Sequence, residues 1–228
     1  MRRLLLPLVC TLAAGLGLAV QAAAQIPAAY AVTYFDIAPV DFDKAAALLR
    51  PFAAATRKED GNAEFTLLDE VGRGERFAIV EAWRDKATLD AHQAAMKVLA
   101  EKLQPFLAAS FDVRRYAPLS IAPPAADAVK LGAAMYVLTH IDVVPAAKDE
   151  VAGLIKNFAE ASRKDKGEQR FDALVGDEHP NHFELIEAWD SHLLREAHAF
   201  AAGAKAFRAK LVGFEGAMYD ERLYEVVR

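Results

Sequence analysis

The sequence FAAATRKEDG at residues 52–61 returns in closely similar form as FAEASRKDKG at residues 158–167. The same offset of 106 residues places FAIVEAW at 77–83 on FELIEAW at 183–189, and 14 of the 41 positions from 52 to 92 are identical without a gap. Self-similarity at one fixed offset over this length indicates an internal duplication. The stretch therefore predicts two copies of one structural unit in a single chain.

Each copy shows hydrophobic patterns in the same order. β-rich runs at 30–37 and 135–143 come first, and apolar residues at helical spacing follow them. Two further strands, a second helix at about 86–104 (192–210 in the second copy) and a last strand complete the unit. This order is βαββαβ, which forms a four-stranded antiparallel sheet with both helices on one face.

The bare face of each predicted sheet needs a cover, and the other copy supplies it. We therefore predict an α+β fold of two ferredoxin-like domains whose sheets pack into an intramolecular α/β barrel. The predicted domains are residues 25–119 and 135–228, joined by a Pro/Ala linker at 120–134. Because the partner sheet is in the same chain, we expect a monomeric pseudo-dimer.

The first 24 residues have the pattern of a secretory signal peptide. Arg2 and Arg3 form a basic start, residues 4–20 carry no charge, and Ala22-Ala-Ala24 offers a small-x-small cleavage site. This pattern predicts a periplasmic or secreted protein with no stable membrane association after cleavage. The alternative is a retained N-terminal anchor, since the apolar run is close to membrane-spanning length.

The composition supports a packed protein and argues against nucleic-acid binding. Hydrophobic residues make up 54% of the chain and charged residues 26%, which is enough apolar surface to offset the entropy of ordering. The net charge is −5 and no basic block occurs, so the electrostatic footprint that nucleic acids require is missing. Small molecules are the expected partners.

One motif carries a family resemblance. Glu81-Ala-Trp83 is followed nine residues later by His92 and preceded by a Phe-x4-Arg-x3-Gly stretch, and the second copy repeats this pattern. Each copy resembles an antibiotic biosynthesis monooxygenase domain of the dimeric α/β-barrel superfamily. The family includes quinol and anthrone monooxygenases without metal or flavin, haem-degrading enzymes and proteins of no known activity. The resemblance implies a quinol-like or polycyclic phenol as substrate, dioxygen as co-substrate and no cofactor or metal.

The resemblance directs attention to the two histidines. A deprotonated phenol can itself reduce dioxygen, so the protein must accept a proton and stabilise an anion. His92 and His198 are the predicted catalytic bases, because an imidazole is partly neutral near neutral pH. The predicted substrate-binding residues are Tyr34, His140, Trp83, Trp189, Glu81, Glu187, Arg57 and Arg163.

Structural alternatives remain open for these residues. Glu81 and His92 can form a hydrogen bond that serves only the fold, the tryptophans can be core residues, and the arginines lie in charged runs typical of solvated surfaces. Tyr34 and His140 occupy the same position in the two copies, and this difference predicts two non-equivalent sites. The alternative function is a non-catalytic binding protein that holds a small apolar or aromatic ligand in the same pockets.

Overall fold

The computed structural model describes residues 26–122, 135–217 and 219–227, and the predicted signal peptide and most of the predicted linker lie outside these ranges. The first half contains β1 (Ala29–Ile37), α1 (Phe42–Thr56), β2 (Asn62–Glu70), β3 (Arg73–Trp83), α2 (Lys86–Leu103) and β4 (Leu107–Ser120). The second half contains β5 (Met135–Asp142), α3 (Lys148–Ser162), β6 (Glu168–Gly176), β7 (His182–Trp189), α4 (His192–Ala199), α5 (Ala202–Leu211) and β8 (Asp220–Val226).

The second helix of each unit begins at a capping residue. The Asp85 carboxylate accepts a hydrogen bond from the backbone N–H of Thr88, whose hydroxyl lies 3.3 Å from the Asp85 backbone nitrogen in a reciprocal capping box. Ser191 caps α4 through its hydroxyl oxygen, which accepts a hydrogen bond from the backbone N–H of Leu194. The single helix predicted at 192–210 is wrong, because the extended backbone of Ala201 (ψ 152°) divides it into α4 and α5.

The eight described strands form one closed barrel. Their order is β1-β3-β2-β8-β5-β7-β6-β4, with β4 returning to β1, and every neighbouring pair is antiparallel. The pairs β2–β8 and β4–β6 join the two halves. Because strands of alternating direction close on themselves without a free edge, the predicted intramolecular α/β barrel is confirmed.

Side-chain alternation along each strand produces two kinds of core. Residues such as Tyr30, Val32 and Tyr116 fill the barrel interior. Residues such as Phe77 and Phe183 pack outward against the helices of their own half. Glu81 and Trp83 share the outward face with Phe77, whereas Tyr34 shares the inward face with Tyr30 and Val32. The sheet therefore separates two sets of polar residues.

An ion pair inside the barrel links the halves. Glu64 and Arg170 hold the same position in the two copies, and Arg170 Nη1 lies 2.7 Å from Glu64 Oε2. Arg170 Nε also donates to Asp172 at 2.7 Å. In a barrel of two identical units this position would bring together two like charges. The duplicated chain replaces them with opposite charges, and this supports pairing of one half with the other.

Gly167 lies in the turn between α3 and β6 and has a left-handed backbone conformation that favours glycine. Its φ is +83°, and a Cβ at this position would collide with the Leu194 side chain. We expect Gly167→Ala to lower the free energy of unfolding by about 1–2 kcal/mol. Gly153→Ala is the control, because no atom lies within 4 Å of a Cβ there and alanine favours a helix. Urea denaturation of the two variants checks this, and equal stability would contradict it.

In the part of the chain that the structure describes, no helix combines the length and the hydropathy of a membrane span.

Candidate active site

Glu81, Trp83 and His92 meet beneath α2 on the helix side of the first sheet. The Trp83 indole nitrogen donates to Glu81 Oε2 at 3.0 Å, and His92 Nε2 lies 3.6 Å from the same oxygen. On its other side, His92 Nδ1 lies 2.8 Å from Glu59 Oε2. The side chains of Glu81 and His92 are fully buried. A buried imidazole is thus placed between two carboxylates and lies tilted against an indole, with ring centroids 4.7 Å apart.

The second half repeats this arrangement with one change. Trp189 donates to Glu187 Oε2 at 2.8 Å, and the His198 ring lies 4.6 Å from the Trp189 ring. His198 Nδ1 lies 2.7 Å from Asp165 Oδ2. Glu59 was not among the predicted site residues, and neither was Asp165. Both occupy the same position in the charged runs after the first helix, and their shared acidity in the two copies was the available signal.

Burial shapes the acid–base character of both clusters. It raises the pKa of Glu81 and of Glu187 from 4.5 to about 7, partly offset by the hydrogen bonds from the indoles. It also lowers the pKa of His198, against the opposing effect of Asp165. Among the described residues, His92 Nε2 and Glu81 Oε1 have no hydrogen-bond partner. The first cluster therefore retains unused hydrogen-bonding capacity.

The raised carboxyl pKa values predict a pH dependence of stability. Between about pH 4.5 and 7 the folded protein binds more protons at Glu81 and Glu187 than the unfolded chain does. The contribution of these two groups to the free energy of unfolding should therefore fall as the pH rises through this range, by up to about 1.4 kcal/mol for each group and pH unit. The double variant Glu81→Gln/Glu187→Gln should show a flatter dependence. Urea titrations at pH 5 and 7.5 test this, and equal slopes in both proteins would contradict it.

An apolar groove leads toward the first cluster. It runs between α1 and α2 with a volume of about 540 Å³. Its lining consists of Ala47, Leu48, Pro51, Phe52, Ala95, Val98, Leu99 and Lys102. Phe52, which lines the groove, is also a neighbour of His92, with ring centroids 5.8 Å apart.

The second half covers the corresponding aromatic side chain. Phe158, the counterpart of Phe52, is stacked by Phe207 of α5 with centroids 4.0 Å apart and planes at 7°. Both rings are at least nine-tenths buried. The two clusters therefore differ in their surroundings, although their central residues are the same.

Arg57 and Arg163 serve the ends of the first helices. Their Nε atoms donate to the backbone carbonyls of Phe65 and Phe171 at 2.8 and 2.9 Å. Arg163 Nη2 also donates to the carbonyl of Ser120, at the end of β4. These contacts fasten helix to sheet, and in the described ranges neither arginine makes a hydrogen bond to a histidine cluster.

Tyr34 and His140 lie inside the barrel, on the opposite face of the sheet from His92 and His198. The Tyr34 hydroxyl donates to Glu184 Oε1 at 2.8 Å, and His140 Nδ1 lies 3.4 Å from Glu184 Oε2. The ten predicted site residues therefore do not form one site. The structure divides them between two helix-side clusters, two helix ends and the barrel interior. In the described ranges, no three His, Cys, Asp or Glu side chains are arranged to hold a metal ion.

The fold agrees with comparison to known proteins. The antibiotic biosynthesis monooxygenase family matches residues 28–109 and 134–210, which together span more than half of the chain. The chain belongs to this family and contains two of its domains in tandem. No curated protein matches the sequence.

Solved structures share the two-domain architecture. A candidate monooxygenase from Fusobacterium nucleatum superposes with a TM-score of 0.77 and 17% identity, over 89% of this chain and 94% of that one. A candidate monooxygenase from Lactobacillus acidophilus gives 0.70 and 16%, over 88% and 94%. An anthrone oxidase-like protein gives 0.67 and 16%, over 89% and 92%. At these identities the similarity establishes the fold.

Proposed function

We propose that the chain oxidises a quinol-like or polycyclic phenol with dioxygen, without a cofactor, at the cluster of the first half. Membership of the family supports a monooxygenase, and one observation supports this site. An apolar groove large enough for an aromatic ligand adjoins Phe52, whose ring packs on a buried imidazole held between two carboxylates. In the second half, Phe207 covers the equivalent ring.

The proposed chemistry starts with a proton. Glu59 orients His92 through Nδ1, and His92 accepts the hydroxyl proton of a phenolic substrate. The resulting phenolate transfers an electron to dioxygen. For a substrate of the anthrone type, the proton comes instead from the CH2 carbon, and the electron pair stays on the resulting anthrolate anion. After electron transfer to dioxygen, one oxygen atom enters this carbon, which becomes a carbonyl. The other oxygen atom leaves as water with the two hydrogens. Because His92 is fully buried, the Phe52 ring must turn aside for the substrate to reach it.

The surroundings of the cluster, the export of the protein and its monomeric state fit the proposed chemistry. The dry, apolar surroundings of the cluster favour electron transfer from an anion that water would otherwise solvate. The pattern of residues 1–24 supports export to the periplasm or medium, where dioxygen is available. The tandem domains support a monomer, because the barrel closes within one chain.

An oxygen electrode tests the proposal. Chelator-treated protein is mixed with anthrone and with a series of hydroquinones, and we expect substrate-dependent oxygen uptake above the rate of spontaneous oxidation. Heat-denatured protein and His192→Ala, which changes an exposed histidine, are the controls. No uptake with any member of the series would refute the proposal. Saturable binding in the groove without uptake would instead support the binding-protein alternative.

A further inference from the structure

A buried carboxylate stands at the end of the barrel where β1 and β5 finish. Glu184 of β7 is fully buried and accepts hydrogen bonds from the hydroxyls of Tyr34 at 2.8 Å and Tyr116 at 2.9 Å. Burial raises the pKa of both tyrosines above the ordinary value, with a further contribution from Glu184, so both remain neutral donors. The two hydroxyls therefore give each carboxylate oxygen one hydrogen bond without supplying a positive charge.

The duplication shows that the fold does not need this carboxylate. Glu184 corresponds to Ala78 in the first half, and both positions lie inside the barrel on equivalent strands. Ala78 is fully buried and pairs with Tyr34 across the β1–β3 ladder, as Glu184 pairs with His140 across β5–β7. The same strand position therefore packs well with a methyl group.

His140 connects the buried carboxylate to solvent. Its Nδ1 lies 3.4 Å from Glu184 Oε2 and has no hydrogen-bond partner in the described ranges, while 16% of the side chain is exposed. The His182 ring meets it edge-on at 5.4 Å. An imidazole with one nitrogen toward a carboxylate and the other directed away from it has the arrangement of a general base.

Two guanidinium groups lie beside the same tyrosine. Arg114 and Arg222 are 5.0 and 5.8 Å from the centre of the Tyr34 ring, and both are about one-third exposed. Each pairs through Nε and Nη2 with the aspartate two residues before it, which leaves Nη1 outside the pair. Cations placed this way can stabilise an oxyanion formed at the barrel end.

We propose that this end of the barrel is a second ligand site, which binds the hydroxyl group of a small phenol and removes its proton. The O–H bond of the phenol breaks, the proton goes to Nε2 of His140, and the electron pair stays on the phenolate oxygen near Arg114 and Arg222. No electron leaves the ligand. The site lies across the sheet from His92, so it operates independently of the proposed oxygen chemistry.

The absorbance of 4-nitrophenol tests this site, because the phenol and the phenolate have different spectra. The full chain is titrated without dioxygen at a pH where the free probe is mostly protonated. We expect saturable binding of one probe per chain, with the probe ionising at least one pH unit lower than in buffer. His140→Tyr, which introduces the residue of the first half, should abolish this shift. Arg114→Gln or Arg222→Gln should reduce it.

Matched variants separate the site from general effects. Glu184→Ala introduces the residue found at position 78, so it should fold and should lose most of the shift. His192→Gln changes an exposed histidine of α4 and should behave as the wild type. An unchanged probe spectrum with the wild-type chain would overturn the proposal, and so would an equal shift in the wild type and in Glu184→Ala. Either result leaves the oxygen-uptake experiment unaffected.

Discussion

Replacing Arg170 with glutamate is expected to lower the free energy of unfolding by about 3–5 kcal/mol. The substitution removes a buried cation and leaves Glu64 and Asp172 facing a third carboxylate inside the barrel. The Arg170 side chain is only 11% exposed, so water cannot compensate for the lost charge. Chemical denaturation followed by circular dichroism measures the effect.

A charge swap provides the sharper comparison. The double variant Glu64→Arg/Arg170→Glu restores opposite charges across the axis that relates the two halves, and it should recover at least half of the lost stability. Arg73→Glu is the control, because this side chain is 55% exposed and lies 3.8 Å from Glu70. It should change stability by less than about 1 kcal/mol. A loss below 1 kcal/mol in Arg170→Glu would show that this ion pair does not hold the halves together.

His92→Ala is expected to reduce substrate-dependent oxygen uptake by a factor of about 100 or more, because general-base catalysis typically contributes that much. The variant also leaves the buried Glu81 without its neighbour, so its fold is checked by circular dichroism before the rate is measured. A rate within threefold of the wild type would contradict the role proposed for His92.

The second histidine cluster gives the matched control for this prediction. His198→Ala removes the corresponding side chain from the second cluster, in the half where Phe207 covers Phe158. Its uptake should remain within about threefold of the wild type. Equal losses in both variants would show that the halves contribute alike, and a loss in His198→Ala alone would place the chemistry in the second half.

The fold could be predicted because the duplication supplies information that one copy lacks. Two copies of one βαββαβ pattern identify both the unit and its partner, so the barrel follows from the need to cover each sheet. The break at Ala201 was not predictable, since 192–210 shows helical spacing throughout.

The candidate site was only partly predictable. Period-two alternation correctly groups Glu81 with Trp83, but it does not show that Tyr34 and His140 meet a carboxylate from another strand. Glu184 becomes significant only in three dimensions, where Tyr34 and Tyr116 of the first half donate to a residue of the second. Its replacement by Ala78 in the other copy was the one signal in the sequence.

Incorporation of oxygen-18 tests the central claim most directly. Chelator-treated wild-type protein is supplied with anthrone and labelled dioxygen, and the product is analysed by mass spectrometry. If the first half oxygenates a phenolic substrate without a cofactor, one labelled atom should appear in each product molecule, and His92→Ala should form little of it. Unlabelled product, or labelled product formed equally well by His92→Ala, would contradict this claim.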